Sequence, residues 1–325
     1  MVRMIDPFGM AARKPLPPEL DGRAFNVRHA LQLGVTHDRL RSADLSRPFH
    51  GSRMPTRLAD LSARCAALQS VLPEDSAFVG PTAARLLGFP LPRRLESDRF
   101  LHVSTTVAHR STRQSGTVGS RRPTRWTVDH LDGLRVVGRT EVWISLAGHL
   151  SPEDLTAGAD FLLGPDSPGD PALTRARMHD ALMRAGSARG IRSLRRSLAD
   201  AREGVRSRPE THLRLLVRDV GPREPDVATP VPVGGGRFVH PDLSWPEFRV
   251  AMEYDGAGHR DPRQHAIDVA RHEDLVDEAW SVMHVVASDL YGHPSSVVAM
   301  LLRRLRTAGW LGGNVELTRF GRFEV

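Results

Sequence analysis

The spacing of apolar and polar residues predicts secondary structure along most of the chain. From about residue 207 to 310 the pattern reads helix, three strands, helix, strand, helix. The helical stretches carry apolar residues three and four positions apart, and the strands are short apolar runs bounded by glycine and proline. In chain order these segments are SRPETHLRLLVRDVG, DVATPVPV, RFVHPDLSW, FRVAMEYD, PRQHAIDVARHEDLVDEAW, SVMHVVA and PSSVVAMLLRRLRTAG. Strands flanked by helices at both ends indicate an α/β layer.

The front of the chain, residues 22–72, predicts a helix-turn-helix followed by a wing. In FNVRHALQLGVTHDRLRSADL the first helix ends in a turn at Gly34, Thr36 is a suitable N-cap for a second helix, and Leu40 is its apolar anchor. The stretch RPFHGSRM then follows as the expected wing. The residues that the second helix would present outward are His37, Arg39 and Arg41. The alternative is a pair of helices used only for packing.

Residues 73–165 predict a middle α/β domain, with strands at RFLHVSTTV and LRVVG and a turn at Asp132–Gly133. The remaining segments are a proline-rich flexible lead at 1–21, an arginine-rich helical connector at 166–206 and a tail at 311–325. The whole pattern predicts an α/β multidomain protein. Its parts are an N-terminal winged helix-turn-helix, the middle domain, and a C-terminal α/β domain at 207–310 with a central mixed sheet flanked by helices.

Composition narrows the class of protein and gives one clue about partners. The 45 lysines and arginines exceed the 38 acidic residues, and a net charge of +7 favours a partner such as nucleic acid. Lys14 is the only lysine, however, and a GC-rich genome produces the same arginine bias, so charge alone leaves the partner open. The single cysteine, Cys65, rules out an internal disulfide or a cysteine-based zinc site.

No apolar run approaches the roughly 20 residues that span a bilayer. The N-terminal stretch MVRMIDPFGMAARKPLPPEL also lacks the apolar core of a signal peptide. These two features predict a cytoplasmic protein that does not contact the membrane.

Three carboxylates are candidates for a metal site. On a strand, residues two apart point to one face, so Glu253 and Asp255 in VAMEYDG share a side. At an effective dielectric of about 20 and roughly 5 Å, two such charges repel by about 3 kcal/mol, so burying both requires a cation, a shared proton or a guanidinium. A hairpin through Pro246 would place Asp242 beside Glu253. Converging carboxylate oxygens are suited to Mg²⁺.

Several of these residues also have a purely structural interpretation. Glu210 stands three residues after Ser207 and completes the pattern of a helix capping box. Asp268 and Arg271 are spaced for a surface ion pair on one helix. His259 follows a glycine-rich turn, where loop histidines are common.

The order of these motifs resembles the PD-(D/E)xK nuclease superfamily, and within it the uncharacterised domain family related to very-short-patch-repair endonucleases. The resemblance covers about 207–295 and rests on Glu210, Pro241–Asp242, Met252–Gly256, His259, Asp268, Arg271 and Leu275. It implies a restriction-endonuclease-like fold in which Asp242 and Glu253 hold Mg²⁺ or Mn²⁺, Glu210 assists from the helix, and His259 polarises the attacking water. The implied reaction is hydrolysis of a DNA phosphodiester, with the metal as Lewis acid.

One position departs from the superfamily's pattern. The lysine expected two residues after the second acid is replaced by Asp255, and this part of the chain contains no other lysine. Arg271 could stabilise phosphate charge, but an arginine does not act as a general base near neutral pH. Relatives of the very-short-patch-repair type also lack that lysine, so the substitution leaves catalysis open.

A second resemblance covers about residues 22–163. The stretches ALQLGVTHDRLRSADLSRPFHG, AFVGPTAARLLGFPLP and GLRVVGRTEVWISLAGHLSPEDLTAGADFLL are similar to AbiEi-type antitoxin regions, which combine a winged helix with an α/β domain. The resemblance implies that the second helix docks in a DNA major groove through His37, Arg39 and Arg41. It also raises the question of a toxin or other protein partner.

Two functions follow as hypotheses. The first is a DNA-binding, metal-dependent endonuclease, in which the front part holds DNA and the last part cuts it. The second is a non-catalytic, antitoxin-like transcriptional regulator whose nuclease fold no longer turns over. Carboxylates gathered around one cation would favour the first, and carboxylates separated by arginines would favour the second.

Overall fold

The computed structural model describes residues 14–57, 60–106, 111–164, 175–256 and 262–312, with 262–268 as backbone only. The chain divides into two compact units. Residues up to Leu86 and Asp98–Gly138 form the first unit, whereas Leu87–Ser97 and the residues from Arg139 onward form the second. The segment predicted as one middle domain therefore contributes its strands to the first unit and its later helices to the second.

The first unit begins with a small sheet and one short helix. The strands are β1 (Phe25–Asn26), β2 (Leu45–Ser46) and β3 (Ser52–Pro55), in the order β1-β3-β2, and α1 (Val27–Gln32) follows β1. Asn26 caps α1 by accepting a hydrogen bond from the Arg28 N–H at 2.7 Å. The stretch RPFHGSRM, predicted as the wing, runs from just after β2 into β3, and these two strands pair antiparallel. Gly34 has the positive φ of 80° that its turn requires.

The prediction of a second helix in the helix-turn-helix is wrong. A single 3₁₀ turn, Arg39–Arg41, occupies its place, and the chain is already extended at Ser42. Thr36 does accept a hydrogen bond from the Arg39 N–H, at 3.3 Å, but no α-helix follows. Leu40 is the one buried residue of the turn, so there is no apolar stripe to hold a longer helix against the core.

The rest of the first unit is a five-stranded mixed sheet with two helices. The elements are α2 (Leu61–Gln69), β4 (Ala77–Phe78), α3 (Gly80–Leu86), β5 (Leu101–Thr105), β6 (Thr117–Arg121), β7 (Val128–Leu131) and β8 (Leu134–Val137), with strand order β6-β5-β4-β8-β7. The turn predicted at Asp132–Gly133 joins β7 to β8, with φ of 48° and 80°. Cys65 is fully buried in α2, as expected for a small core residue.

The second unit opens with a group of helices. They are α4 (Arg93–Glu96), α5 (Arg139–Ser145), α6 (Pro152–Leu163), α7 (Arg175–Ala185), α8 (Ile191–Asp200) and α9 (Arg208–Val217). Ser151 caps α6, accepting a hydrogen bond from the Asp154 N–H at 3.1 Å. Helix α6 contacts both α8 and α9. The described part of the predicted connector therefore belongs to the same packed unit as the C-terminal sheet.

A four-stranded mixed sheet follows. Its strands are β9 (Asp226–Val227), β12 (Leu243–Trp245), β13 (Val250–Asp255) and β14 (Ser281–Val286), in the order β14-β13-β12-β9. Neighbouring strands run antiparallel except β13 and β14, which are parallel and are connected through α10 (Pro262–Asp277). A separate hairpin contains β10 (Val231–Val233) and β11 (Arg237–Val239), and α11 (Pro294–Thr307) closes the unit.

Two predicted strands are each divided in the structure. DVATPVPV becomes β9 and β10, and RFVHPDLSW becomes β11 and β12, with each half in a different sheet. Pro230 and Pro241 lie at the two breaks, where a residue without an N–H cannot continue a ladder, and Ala228 has a positive φ of 46°. The other helices and strands predicted for 207–310 are present. The core beneath the sheet includes Trp245, Met252 and Leu301.

Within the described ranges, none of the helices combines the length and the apolar character needed to cross a bilayer.

Candidate functional site

Asp242 and Glu253 lie across from each other where β12 and β13 meet. In this antiparallel pair Leu243 is opposite Met252, so the residue before Leu243 lies across from the residue after Met252. The adjacency predicted from the hairpin is therefore confirmed. The Tyr254 N–H donates a hydrogen bond to Asp242 Oδ2 at 2.8 Å, which fixes the Asp242 carboxyl at this edge.

The surroundings of Asp242 favour its protonated form. Burial raises the pKa of the carboxyl to about 7, and the negative charges of Glu210 and Glu253 also act in that direction. The hydrogen bond from Tyr254 and the charge of Arg271 oppose the rise. Near neutral pH the group is therefore poised between its neutral and ionised forms, and any cation bound beside it would favour ionisation.

The Glu253 carboxylate has a buried oxygen atom, Oε1, whose lost contact with water is not replaced by a hydrogen bond among the described residues. Arg271 Nη2 approaches that oxygen to 3.7 Å and donates a hydrogen bond to the His240 carbonyl at 2.9 Å. Burial raises the pKa of Glu253, although the positive charge of Arg271 acts against the rise. An unpaired buried carboxylate oxygen is costly, and a bound cation would relieve that cost.

Glu210 has the capping geometry that the sequence suggested as an alternative to a site role. Ser207 accepts a hydrogen bond from the Glu210 N–H at 3.3 Å and donates one to Glu210 Oε1 at 2.8 Å. Glu210 Oε2 accepts the Arg206 N–H at 2.8 Å. Both carboxylate oxygens are therefore engaged at the start of α9. The negative charge still reaches the site, because it helps to raise the pKa of Asp242.

Asp255 belongs to a chain of hydrogen bonds with two histidines. His284 Nδ1 lies 3.1 Å from Asp255 Oδ2, and His284 Nε2 lies 3.0 Å from His272 Nδ1. A carboxylate accepts only, so His284 donates from Nδ1, and in its neutral form its Nε2 accepts from His272. His284 also pairs with Glu253 in the parallel register of β13 and β14. The carboxylates at the end of β13 therefore lie next to the imidazole pair formed by His272 and His284.

The sequence interpretation missed this histidine pair. His272 and His284 are twelve residues apart and lack the spacing of a metal motif. The available signal was the topology: a strand, a crossover helix and a second strand, which is the arrangement that makes the two strands parallel neighbours. Placing SVMHVVA beside VAMEYD would have brought His284 to the carboxylates.

Within the described residues, no cluster of three or more histidine, cysteine, aspartate or glutamate side chains is arranged to hold a metal ion. His259, the predicted water-polarising residue, lies outside the described residues, and so does the side chain of Asp268. The features that fit a cation are the facing pair Asp242 and Glu253 and the unpaired Oε1 of Glu253.

The three residues of the front part that were predicted to contact DNA, His37, Arg39 and Arg41, differ in their exposure and contacts. Arg39 makes a two-pronged contact with Asp44, at 3.0 and 2.8 Å, and its side chain is only 9% exposed. Arg41 is exposed and lies 3.1 Å from Asp38. His37 is exposed. Arg39 is therefore part of the packing of the first unit, whereas His37 and Arg41 are open to solvent.

Two curated relatives were found, both uncharacterized proteins of Mycobacterium tuberculosis, from strains CDC 1551 and H37Rv. Each is 28% identical to this chain over 139 residues, which is 42% of this chain and 51% of the relative. The match therefore spans about half the length of these relatives. No family model matches the chain, and no solved structure matches it.

Proposed function

We propose that this protein is a metal-dependent DNA endonuclease whose cutting site lies at the edge of β12 and β13. The observation that carries the proposal is the facing pair Asp242 and Glu253, two largely buried carboxyls, of which Glu253 helps to raise the pKa of Asp242. Acidic groups held together in this way, with one buried oxygen of Glu253 that accepts no hydrogen bond among the described residues, are typical of functional sites.

The topology around the pair supports the proposal. Helix α9 is followed by three antiparallel strands, β9, β12 and β13, then by the crossover helix α10 and the parallel strand β14. This helix, three strands, helix, strand order is the one predicted from the apolar pattern of 207–310, the part of the chain that resembles the PD-(D/E)xK superfamily. The small β10–β11 hairpin is an addition to that order.

Asp242 and Glu253 would hold the Mg²⁺ or Mn²⁺ ion, which supplies Lewis-acid polarisation of the phosphodiester and of the attacking water when bound. Arg271, beside Glu253, is positioned to bind the phosphate when the carboxylate is occupied by a cation. Asp255 orients His284, and a neutral imidazole has a ring nitrogen that accepts a proton, whereas an arginine side chain has no acceptor. This pair takes over the function that the missing lysine serves in the superfamily.

A cleavage assay on plasmid and mismatched DNA with Mg²⁺ or Mn²⁺ tests the proposal. Asp242→Asn and Glu253→Gln should each lower the rate at least about a hundredfold, because each removes a metal-binding charge. Asp219→Asn is the matched control, since Asp219 is an exposed carboxylate of the same unit. Equal trace activity in the wild type and in Asp242→Asn would refute the nuclease.

A second candidate is a non-catalytic DNA-binding regulator, of the antitoxin-like kind, with or without a toxin partner. The observation in its favour is the approach of Arg271 to Glu253, because a guanidinium there compensates the carboxylate without any cation. Specific DNA binding that is unaffected by Asp242→Asn, together with no cleavage under any metal condition, would favour this candidate.

A further inference from the structure

The positive charge of the protein is concentrated in one helical pair. The segment Arg175–Asp200, which contains α7 and α8, carries seven arginines against Asp180 and Asp200. Its net charge of +5 accounts for most of the +7 of the whole chain. A genome-wide preference for arginine acts on every part of a chain, so it does not explain why the remainder is almost neutral.

Packing directs these arginines outward. Helix α7 buries Met178 and Leu182, and α8 buries Leu194 and Leu198. The opposite faces are exposed, and they carry Arg184 on α7 and Arg192, Arg195 and Arg196 on α8. Because residues three and four apart lie on one helix face, the three arginines of α8 form a continuous row.

The arginines of this surface differ in how far they are engaged. Arg175 has a structural role, since its guanidinium donates to the carbonyls of Leu198 and Ala201. Arg196 lies 3.8 Å from Asp200, which in turn binds Arg218 at 2.8 Å. In contrast, no hydrogen bond or ion pair within the described ranges engages the side chains of Arg184, Arg192 and Arg195.

We infer that the exposed arginine face of α7 and α8, defined by Arg184, Arg192, Arg195 and Arg196, binds the phosphate backbone of duplex DNA. Guanidinium groups bind phosphate oxygens through charge-assisted hydrogen bonds, and a row in which Arg192 and Arg195 contact no carboxylate of the described residues attracts a polyanion. The inference rests on the proposed function in one respect: it assigns the substrate-holding surface to the same unit as the cutting site.

An anionic membrane is the other polyanion to consider. A helix that binds a bilayer surface inserts its apolar face, but the apolar faces of α7 and α8 are buried inside the unit. Among the large apolar side chains of α7 and α8, Met183 alone is mostly exposed in the described residues, so the outer surface is mainly charged and favours a partner that binds through phosphates. Duplex DNA is such a partner.

Binding of the full chain to a fluorescein-labelled DNA duplex, followed by fluorescence anisotropy across a range of salt concentrations, tests the inference. The variant Arg192→Gln/Arg195→Gln should weaken binding at least about tenfold at low salt. It should also reduce the slope of log K against log salt by about 2, because two phosphate contacts are lost. Circular dichroism and the melting temperature establish that the variant is folded.

The matched control is Arg93→Gln/Arg303→Gln, which removes the same charge from two exposed arginines elsewhere in this unit. The control should keep at least half of the wild-type affinity. An equal loss in both double variants would show that net charge alone drives binding, and unchanged binding in the α8 variant would remove the surface; either result overturns the inference. Stronger binding to vesicles of phosphatidylcholine and phosphatidylserine than to DNA would assign the surface to a membrane instead.

The outcome is separable from that of the nuclease proposal. Asp242→Asn leaves the arginine face intact, so it should bind the duplex as the wild type does while losing cleavage. If the wild type binds through α8 but never cleaves DNA, the proposed function fails and this inference stands.

Discussion

Asp242 is the residue whose charge depends most on its surroundings, and this makes stability depend on pH. Its pKa is about 7 in the folded protein, whereas an unfolded aspartate has a pKa of about 3.9. The folded state therefore keeps a proton that the unfolded state releases. The stabilisation from this proton is complete below about pH 4 and is lost as the pH rises through 7.

Replacing Asp242 with asparagine should remove this dependence. At pH 8 the free energy of unfolding of Asp242→Asn should exceed that of the wild type by roughly 2 to 4 kcal/mol, by the conversion of about 1.4 kcal/mol per pKa unit. The difference should shrink towards pH 4. Urea unfolding at several pH values measures it, with Asp219→Asn as control. Parallel curves for wild type and Asp242→Asn would contradict the assigned protonation.

Arg39 and Arg41 should differ in their effect on stability. Arg39→Ala removes a largely buried guanidinium that makes a bidentate contact with the half-buried Asp44, so we expect the free energy of unfolding to fall by about 1 to 3 kcal/mol. Arg41→Ala removes an exposed ion pair and should change stability by less than about 0.5 kcal/mol. Thermal unfolding of both variants measures the difference, and similar melting temperatures would contradict it.

At the scale of elements, buried ion pairs join α9 to α6. Asp154 on α6 lies 2.6 Å from Arg208 Nε and 3.0 Å from His212 Nε2, both on α9. Asp160, one turn and a half further along α6, contacts Arg214 at 3.3 Å. Because α9 also carries Glu210, this interface positions the helix that borders the carboxylate pair.

Removing the charge of Asp154 should therefore weaken the α6–α9 interface. Asp154→Asn removes the charged carboxylate that contacts Arg208 and His212. We expect the free energy of unfolding to fall by about 3 to 5 kcal/mol. Thermal unfolding tests the size of the effect. Glu153→Gln is the control, because Glu153 is the half-buried neighbour on the same turn. A loss in Asp154→Asn no greater than in Glu153→Gln would show that the buried pair is not needed.

At the scale of the whole molecule, two surfaces of the second unit are expected to act independently. By the two proposals, the arginine face would bind DNA and the carboxylate pair would cut it. Asp242→Asn should therefore retain duplex affinity within about twofold of the wild type, because the substitution leaves every arginine of that face unchanged and energies of independent sites add. Anisotropy titration of the same preparations used for cleavage measures this. A tenfold loss of affinity would mean that the two surfaces are coupled.

Much of the second unit was predictable because its signals are local. The cap at Ser207, the helices on either side of β14, and the hairpin that brings Asp242 to Glu253 follow from residues close together in sequence. The second helix of the front part failed because capping and a single apolar anchor, Leu40, do not supply a buried face. Helix stability in proteins comes mainly from such packing.

The sequence by itself determined the α/β character, the Asp242–Glu253 hairpin, the Asp132–Gly133 turn and the position of the charged helices, because periodicity, prolines and glycines act over short distances. The tertiary structure alone decided the partners: His284 beside Asp255, and Arg271 beside Glu253. Those contacts depend on strand order and crossover packing, and a one-dimensional pattern does not encode which distant residues meet.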